Sequence, residues 1–438
     1  MANYIETSRQ LPLFEPLDEA SLYLPPNGGY FALLTAGSDG KKHQKSYPIS
    51  ELETALQLVD PRRDSWISQA IFWTSARRVA NVKSLSLSFL DIDYYKADMG
   101  WSNGKTPEQV AENFMQICDV EGIPRPSLVI HSGRGIQPKW LYENSIPRLA
   151  LPRWNAVEKE LIHKLQPYGV DSAVRDAARV LRIVQTTNSR SGTVCRIVGM
   201  TPGDNGKPKM YGFDNLCEYI LPKNRPQRRK EAPQSDAKVS PRPDTGFDGQ
   251  TLAWARLEDL RTLIRLRGGI DEGMRMKFLM YTMNFLALSG QVSAKSFYAE
   301  AAVIAREIDP MWNFRQGDLR TVFEKMIKAR SGERIEFNGR EYVPLYTPRT
   351  QTLIDLFEVT SEEMTHLTTL IDDETRRGRN AVAQMKLRRA SGAVPRQEYE
   401  AHAAARKERA KALYSQGMSI REIAAEMGLS KSQIHRYL

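Results

Sequence analysis

The chain has 438 residues, of which 26% are charged and 41% hydrophobic, enough for two or three domains with buried cores of their own. The 62 Lys and Arg residues outnumber 52 Asp and Glu residues, and the net charge of +10 suits a polyanionic partner without proving one. The three cysteines are too few and too scattered for a disulfide framework or a four-ligand zinc site, which fits a reducing compartment. Because no run approaches the roughly twenty apolar residues of a membrane span, and the first thirty residues lack a secretory pattern, we expect a soluble, cytoplasmic protein without a membrane partner.

The first half of the chain mixes predicted strands and helices, as is typical of an α+β domain. A strand is predicted over 82–93, where polar and apolar residues alternate before the run becomes apolar and ends in two aspartates. Thr106-Pro107-Glu108 is a capped helix start. The remaining predicted elements are a strand at 30–34, a helix at 50–58, a hairpin over 127–142 and a helix at 152–165. Together these elements predict a strand-rich, helix-covered α+β domain of ordinary size over 1–221.

The second half is predicted to be mainly helical. A basic, Pro-rich linker over 222–250 precedes an α-helical domain over 251–330, and a hairpin and helix extension follows over 331–373. The connector 374–411 has eleven Lys or Arg and four Glu, a local charge of +7, and is expected to form one long solvated helix. The segment 412–438 is a separate unit.

Asp91-Ile-Asp93 is the first candidate site. Since side chains alternate along a strand, both carboxylates lie on one side of it and can coordinate a hard divalent cation. Two carboxylates at the end of an apolar strand are costly to bury unless a cation or partner compensates them. The alternative is a pair of solvated turn acids, and the residues alone leave both interpretations open.

Ser132-Gly-Arg134-Gly, bounded by predicted strands, is a candidate phosphate site. Its glycines let backbone N–H groups approach an anion, and its hydroxyl and guanidinium can bind phosphate. Taken in isolation, the motif favours a hairpin turn with an exposed arginine.

Arg179 and Arg182 follow Asp176 and share a face if the segment is helical, so that they could hold a triphosphate or a nucleic-acid backbone. A surface ion-pair cluster is the alternative. The segment 100–106 has three residues between its glycines where a P-loop has four, and no complete P-loop occurs elsewhere, so the chain is not expected to be an ATP-driven helicase by itself.

Several motifs occur in a characteristic order: Phe-Leu-Asp91-Ile-Asp93, Ser132-Gly-Arg134-Gly-Ile-Gln137-Pro-Lys139-Trp, Val-Asp171 and Asp176-Ala-Ala-Arg179-Val-Leu-Arg182. This ordered set resembles the archaeo-eukaryotic primase superfamily, especially the primase-polymerases of plasmids and mobile elements. The likeness covers about residues 80–195, and the helical region over 268–329 is a fainter match to the helical domain that follows the core in such primases.

The resemblance implies an α+β primase core with a recognition-motif-like sheet, followed by an α-helical domain. It implies that Asp91, Asp93 and Asp171 bind two Mg²⁺ or Mn²⁺ ions and catalyse nucleotidyl transfer from nucleoside triphosphates on a single-stranded DNA template. The nucleotide-binding residues that it implies are Ser132, Arg134, Gln137, Lys139, Arg179 and Arg182. Many family members have a histidine after the turn where this chain has Gln137, which puts the strength of triphosphate binding in question.

The last residues, 417–438, resemble a helix-turn-helix of the resolvase or response-regulator kind. Ser419 and Glu422 form a predicted capping box, Gly428 makes the turn, and Ser430 begins a second helix. The residues expected to face DNA are Ser430, Lys431, Ser432, Gln433, His435 and Arg436.

These observations predict a DNA primase of a plasmid or mobile element, recruited to duplex origin DNA by its tail and cooperating with a separate replicative helicase. A non-catalytic, origin-binding initiator or regulator that acts through the helix-turn-helix is the alternative. A metal-dependent nuclease that uses the same three acids is a third hypothesis.

Overall fold

The computed structural model describes residues 15–37, 39–96, 100–171, 176–222, 249–337, 339–392 and 394–438. Residues 223–248, which make up nearly all of the linker predicted over 222–250, lie outside the described residues. The described chain divides by contact into two compact units. The first unit is Met1–Arg349 with His366–Leu370, and the second is Thr350–Thr365 with Ile371–Leu438.

Strands of the first unit form one large antiparallel sheet and two small hairpins. The strands are β1 (Tyr30–Ala36), β2 (Lys42–Pro48), β3 (Ser65–Ser68), β4 (Ala70–Phe72), β5 (Val82–Phe89), β6 (Leu128–His131), β7 (Ile136–Pro147), β8 (Val180–Arg182), β9 (Thr187–Asn188), β10 (Thr193–Val194), β11 (Arg196–Met200), β12 (Ile335–Phe337) and β13 (Arg340–Tyr342). The order in the large sheet is β11-β6-β7-β5-β4-β1-β3-β8, with β2 also paired to β1.

Helices of the first unit cover the sheet and continue into a helical region. They are α1 (Pro16–Ser21), α2 (Leu52–Gln57), α3 (Pro107–Val120), α4 (Leu151–Leu165), α5 (Phe213–Ile220), α6 (Gly249–Leu266), α7 (Arg275–Leu288), α8 (Phe297–Ile308) and α9 (Arg320–Arg330). The helix predicted from Thr106 is confirmed as α3, whose N-cap hydroxyl accepts a hydrogen bond from Gln109 N–H in a reciprocal capping box.

The core of the first unit lies between the sheet and α3 and α4. Strand β5 is buried along most of its length because both faces are covered, in agreement with its solidly apolar end. From α4, the indole N–H of Trp154 donates to the carbonyl of Leu87, and the ring lies 5.9 Å from that of Phe89. This packing fixes the end of β5, where the two aspartates begin.

The helical region is joined to the sheet by buried ion pairs. Arg148, just before α4, contacts Glu258 of α6 at 2.7 Å and donates to the carbonyls of Ala80 and Val82. Arg261 pairs with Glu258 and Glu307. Removing one partner of such a buried pair leaves an uncompensated charge, so this network holds the region in one geometry.

The second unit contains α10 (Thr350–Phe357), α11 (Ser361–Met364), α12 (Asp373–Ala390), α13 (Arg396–Ser415), α14 (Ile420–Met427) and α15 (Lys431–Tyr437). The prediction of one long helix over 374–411 is wrong, because α12 and α13 are separate. Gly392 has φ of 90°, and Pro395, which has no N–H, stands at the start of α13. Helix α12 has no buried residue among those described.

The predicted helix-turn-helix is confirmed as α14 and α15, and the end of α13 completes a small three-helix core. Ala410, Ile423 and Ile434 are fully buried there. Ser419 and Glu422 form the expected capping box, and Gly428 takes the left-handed conformation that ends α14. Among the helices of the described residues, none combines the length and the apolar content that a bilayer span requires.

Candidate active site

One face of the large sheet carries a cleft of about 800 Å³. At one side it is lined by Asp91, Asp93 and the Ser132–Gly135 turn, and at the other by residues from β1, β3, β8 and the β1–β2 turn. Seven arginines and one lysine line it against four aspartates, so the cleft is positively charged overall. An anionic ligand is therefore favoured there.

The backbone places all three predicted acids on one face. Ile92 forms antiparallel bridges with both Ile136 and Val170, so Asp91 stands opposite Gln137 on one side and Asp171 on the other. The amide of Asp171 donates to the carbonyl of Asp91 at 2.9 Å. Directly opposite residues and residues two apart project to the same side of a sheet, which puts Asp93 there as well.

The side chains of these acids are not assembled into a ready-made cluster. Asp91 and Asp93 line the cleft, whereas Asp171 is not among its lining residues. No three of the His, Cys, Asp and Glu side chains in the described ranges are grouped as metal ligands. Burial, and next the neighbouring Asp93 carboxylate, raise the pKa of Asp91 to about 6, against the lowering effects of the Gln137 amide and Arg179.

The Ser132–Gly135 turn packs directly against the acidic strand. A Cβ at Gly135 would lie 2.4 Å from the carbonyl oxygen of Ile92, and one at Gly133, whose φ is 101°, would lie 2.5 Å from the Asn188 side chain. Asn188 donates its amide N–H to the carbonyl of Ser132 at 2.7 Å. Both glycines are therefore required for this close approach, and Asn188 holds the turn in place.

The two polar side chains of the turn reach the cleft. The Ser132 hydroxyl lines it while donating to the carbonyl of Gly135 at 3.1 Å, and the Arg134 guanidinium lies over the Tyr95 ring at 4.5 Å. Sequence reasoning assigned both residues to one turn, and the structure brings both beside the acids.

Gln137 lines the cleft and Lys139 does not, although both side chains start from the same side of β7. The amide nitrogen of Gln137 is 3.5 Å from a carboxylate oxygen of Asp91, and its own carbonyl oxygen is buried without a partner. The placement predicted for Lys139 is wrong. Its ammonium is fully buried 2.6 Å from the Glu19 carboxylate of α1, over the Tyr23 ring and outside the cleft.

Arg179 and Arg182 both line the cleft, but not as neighbours on a helix. Arg182 belongs to β8, so the helical interpretation of this segment is wrong. Its guanidinium is 2.5 Å from the Asp64 carboxylate, which also accepts from Ser189. Burial opposes ionisation of Asp64, but the hydrogen bonds from Ser189 and Arg182 lower its pKa overall. Arg182 is thus partly neutralised within the cleft.

The far side of the cleft was missed by sequence reasoning. Trp66 of β3 stands opposite Leu34 of β1 and Arg182 of β8, and the Lys42 ammonium lies 4.2 Å from its ring centroid. Further lining residues there are Arg62, Arg63, Arg77 and Arg190. Most of these residues belong to no local motif, because they come together only through the pairing of β1 with β2 and β3 and of β3 with β8, more than a hundred positions later. The adjacent pair Arg62-Arg63 was the one signal available.

The residues predicted to face DNA lie on α15 or at its N-cap. Ser430 is the N-cap and accepts from Gln433 N–H at 3.3 Å, and Ile434 turns into the core. Lys431, Ser432, His435 and Arg436 are exposed, and Gln433 is half-buried. A recognition helix contacts DNA through exposed polar side chains of this kind.

Comparison with known proteins gives two kinds of match. The model of the family described as "Helix-turn-helix domain of resolvase" matches residues 402–438, so the chain carries a helix-turn-helix of this type. A protein named "Replication protein", from Clostridium perfringens, is 29% identical over 329 residues, which are 75% of this chain and 72% of the relative.

Solved structures of two primases also match. The AEP domain of the primase-polymerase of Cyanophage S-2L is 17% identical, with a TM-score of 0.31, over 44% of this chain and 89% of that one. The structure titled primase RepB' is 13% identical, with a TM-score of 0.31, over 72% of this chain and 94% of that one. The structure of the catalytic domain of the same primase in complex with initiator DNA is 13% identical, with a TM-score of 0.30, over 47% of this chain and 93% of that one.

Proposed function

We propose that the protein is a DNA primase that acts in the replication of a plasmid or mobile element and joins nucleoside triphosphates into short primers on single-stranded DNA. The observation that carries this proposal is the convergence of Asp91, Asp93 and Asp171 on one sheet face beside the Ser132–Gly135 turn, in a positively charged cleft. The similarity to a replication protein supports the same role.

The acids fit hard divalent cations such as Mg²⁺ or Mn²⁺. Carboxylate oxygens are the donors that these ions prefer. Burial, and next the Asp93 carboxylate, raise the pKa of Asp91, and a bound cation would offset both effects. Asp91 and Asp93 would hold the ion, with Asp171 on the adjoining segment that bridges to Ile92. Ions held there would supply Lewis-acid chemistry, which would polarise the phosphoryl group and lower the pKa of the attacking 3′-hydroxyl.

The other residues at this end of the cleft bind and orient the triphosphate. Ser132 and Arg134 offer a hydroxyl and a guanidinium from one rigid turn, and Arg179 adds a positive charge near Asp91. Holding the α-phosphate in line with the hydroxyl converts a bimolecular step into a positioned one, which supplies a large part of the rate enhancement. Gln137 stands where it restrains the Asp91 carboxylate.

The far side of the cleft suits the template strand. Lys42, Arg62 and Arg190 are exposed cations there, and backbone phosphates are their natural partners. The helix-turn-helix would bind duplex origin DNA through α15. Since the sequence has no complete P-loop, strand separation would be the work of a separate helicase.

The test is primer synthesis on single-stranded circular DNA with labelled nucleotides and magnesium or manganese. We expect short products from the wild type and none from Asp91→Ala/Asp93→Ala. The control Asp271→Ala/Asp318→Ala removes two exposed aspartates outside the cleft and should leave synthesis unchanged.

Two other outcomes identify the competing hypotheses. Sequence-specific binding of duplex DNA with no product from the folded wild type would favour the non-catalytic initiator, which the exposed polar face of α15 makes the second candidate. Shortening of a labelled strand that depends on Asp91 would favour a nuclease.

A further inference from the structure

The loop between β4 and β5 delivers an arginine to the cleft that no motif identifies. The loop is closed at its base by a hydrogen bond of 2.9 Å from Trp73 N–H to the carbonyl of Asn81. Across the loop, the side-chain amide of Asn81 donates to the carbonyls of Thr74 and Ala76 at 3.1 and 2.6 Å. Arg77, which follows directly, lines the cleft.

The Arg77 guanidinium is held from two sides and still has donors to spare. Its Nε donates to the side-chain oxygen of Gln44 on β2 at 2.7 Å, and its Nη1 donates to the carbonyl of Ala178 just before β8. A guanidinium has five N–H donors, and the described residues engage two of them. Among the described residues no carboxylate forms an ion pair with it, although the Asp176 carboxylate, which also lines the cleft, acts on it electrostatically. A fixed cation with free donors in a cleft is the arrangement that binds phosphate.

The loop is fixed from the helical region by a single side chain. Glu300 of α8 is 1% exposed, and its two carboxylate oxygens accept from Val79 N–H at 3.0 Å and from Ala80 N–H at 2.8 Å. These amides open the short 3-10 turn Val79–Asn81 and have no partner within it. Glu300, from a distant helix, therefore caps the N-terminus of this turn, which begins two residues after Arg77.

We propose that Arg77 binds a substrate phosphate in the cleft and that Glu300 is a positioning residue that sets the place of Arg77. The proposal rests on the proposed function, since it takes the phosphate to be that of a nucleotide or a DNA strand. It makes the helical region a contributor to substrate binding, through one carboxylate and one loop, without any of its residues lining the cleft.

A double-mutant cycle on the full chain tests the coupling. Binding of inorganic tripolyphosphate with magnesium and of a short single-stranded oligonucleotide is measured for the wild type, Arg77→Ala, Glu300→Gln and the double variant. Loss of a hydrogen bond to a charged group predicts about ten- to hundredfold weaker binding for Arg77→Ala. Binding of tripolyphosphate is weakened if the phosphate is that of a nucleotide, and binding of the oligonucleotide is weakened if it is that of a DNA strand. Glu300→Gln should weaken binding of the same probe about threefold or more, and add nothing once Arg77 is absent.

Two further variants separate positioning from loss of structure. Glu307→Gln weakens an ion pair of the same helix with Arg261 but does not contact the loop, so it should leave binding of both probes unchanged. Gln44→Ala removes an exposed acceptor of Arg77 with little risk to the fold, and it should weaken binding of the same probe as Glu300→Gln.

The outcomes are distinguishable. If the wild type binds neither probe, this inference and the proposed function both fall. If the wild type binds but Arg77→Ala matches it, or if Glu300→Gln costs as much without Arg77 as with it, only this inference is overturned.

Discussion

Replacing Glu158 by Gln should make the first unit more stable at alkaline pH, although it removes a buried charged residue. Glu158 of α4 is fully buried, and its carboxylate accepts from Phe89 N–H at 3.2 Å. Burial raises its pKa from 4.5 to about 8, against the lowering effects of the Ser88 hydroxyl and the Phe89 amide.

The folded protein therefore holds a proton on Glu158 that the unfolded chain releases. Because the folded state binds more protons between pH 4.5 and about 8, the free energy of unfolding falls as the pH rises through this window and is level above it. The two pKa values correspond to a loss of about 5 kcal/mol in total. Gln keeps an acceptor for Phe89 N–H and has no proton to lose.

The assay is urea unfolding of the wild type and Glu158→Gln at several pH values from 5 to 9, followed by tryptophan fluorescence. All seven tryptophans lie in the first unit, so the signal reports its unfolding. We expect similar stabilities at pH 5 and a variant that is more stable by several kcal/mol at pH 9. Glu160→Gln, on the same helix and half-buried, is the matched control. A difference between wild type and Glu158→Gln that stays constant with pH would refute the reasoning.

Three further predictions follow from local geometry. Gly133→Ala should destabilise the first unit by about 2 kcal/mol or more in the same unfolding assay, because a left-handed backbone and contact with Asn188 both oppose a Cβ. Ile434→Ala should cost the helix-turn-helix about 2–5 kcal/mol, seen as faster amide hydrogen exchange over 402–438. Lys42→Ala/Arg62→Ala should lower the salt dependence of single-stranded DNA binding by about 1.4 in log–log slope, measured by anisotropy.

Each of these has its own control. Gly104→Ala also has a positive φ but meets no atom within 4 Å, so it should cost less than Gly133→Ala. Lys431→Ala changes an exposed residue beside Ile434 and should leave exchange in the core unaltered. Lys105→Ala/Lys159→Ala removes two exposed charges outside the cleft. An equal change in salt slope from this pair would mean that the charges act without regard to position.

The sequence predicted the parts of the site that are local in the chain. Two aspartates that end a buried strand, and a turn with two glycines, follow rules that operate over a few residues, and the structure places them side by side. The capping boxes at Thr106 and Ser419 are equally local, because an N-cap needs only the three residues after it.

What the sequence did not predict depends on distant pairing. Lys139 is drawn out of the cleft by Glu19, which lies 120 positions earlier. Arg182 is partly neutralised by Asp64, and Trp66 meets both Arg182 and Lys42 because β3 pairs with β8 and with β1, which in turn pairs with β2. The local pattern of charges around a residue does not reveal a partner of opposite charge that is distant in the sequence.

The ion pair between Glu19 and Lys139 also constrains how the protein can evolve. Both side chains are essentially without contact with solvent, and losing either charge alone would strand the other at a cost of about 3–5 kcal/mol. Viable changes at these two positions should therefore occur together, as a swap or as a joint replacement by apolar residues. Substitutions in helix α1 should therefore be coupled to substitutions in β7, the strand that carries Gln137, although the two elements are far apart in the chain.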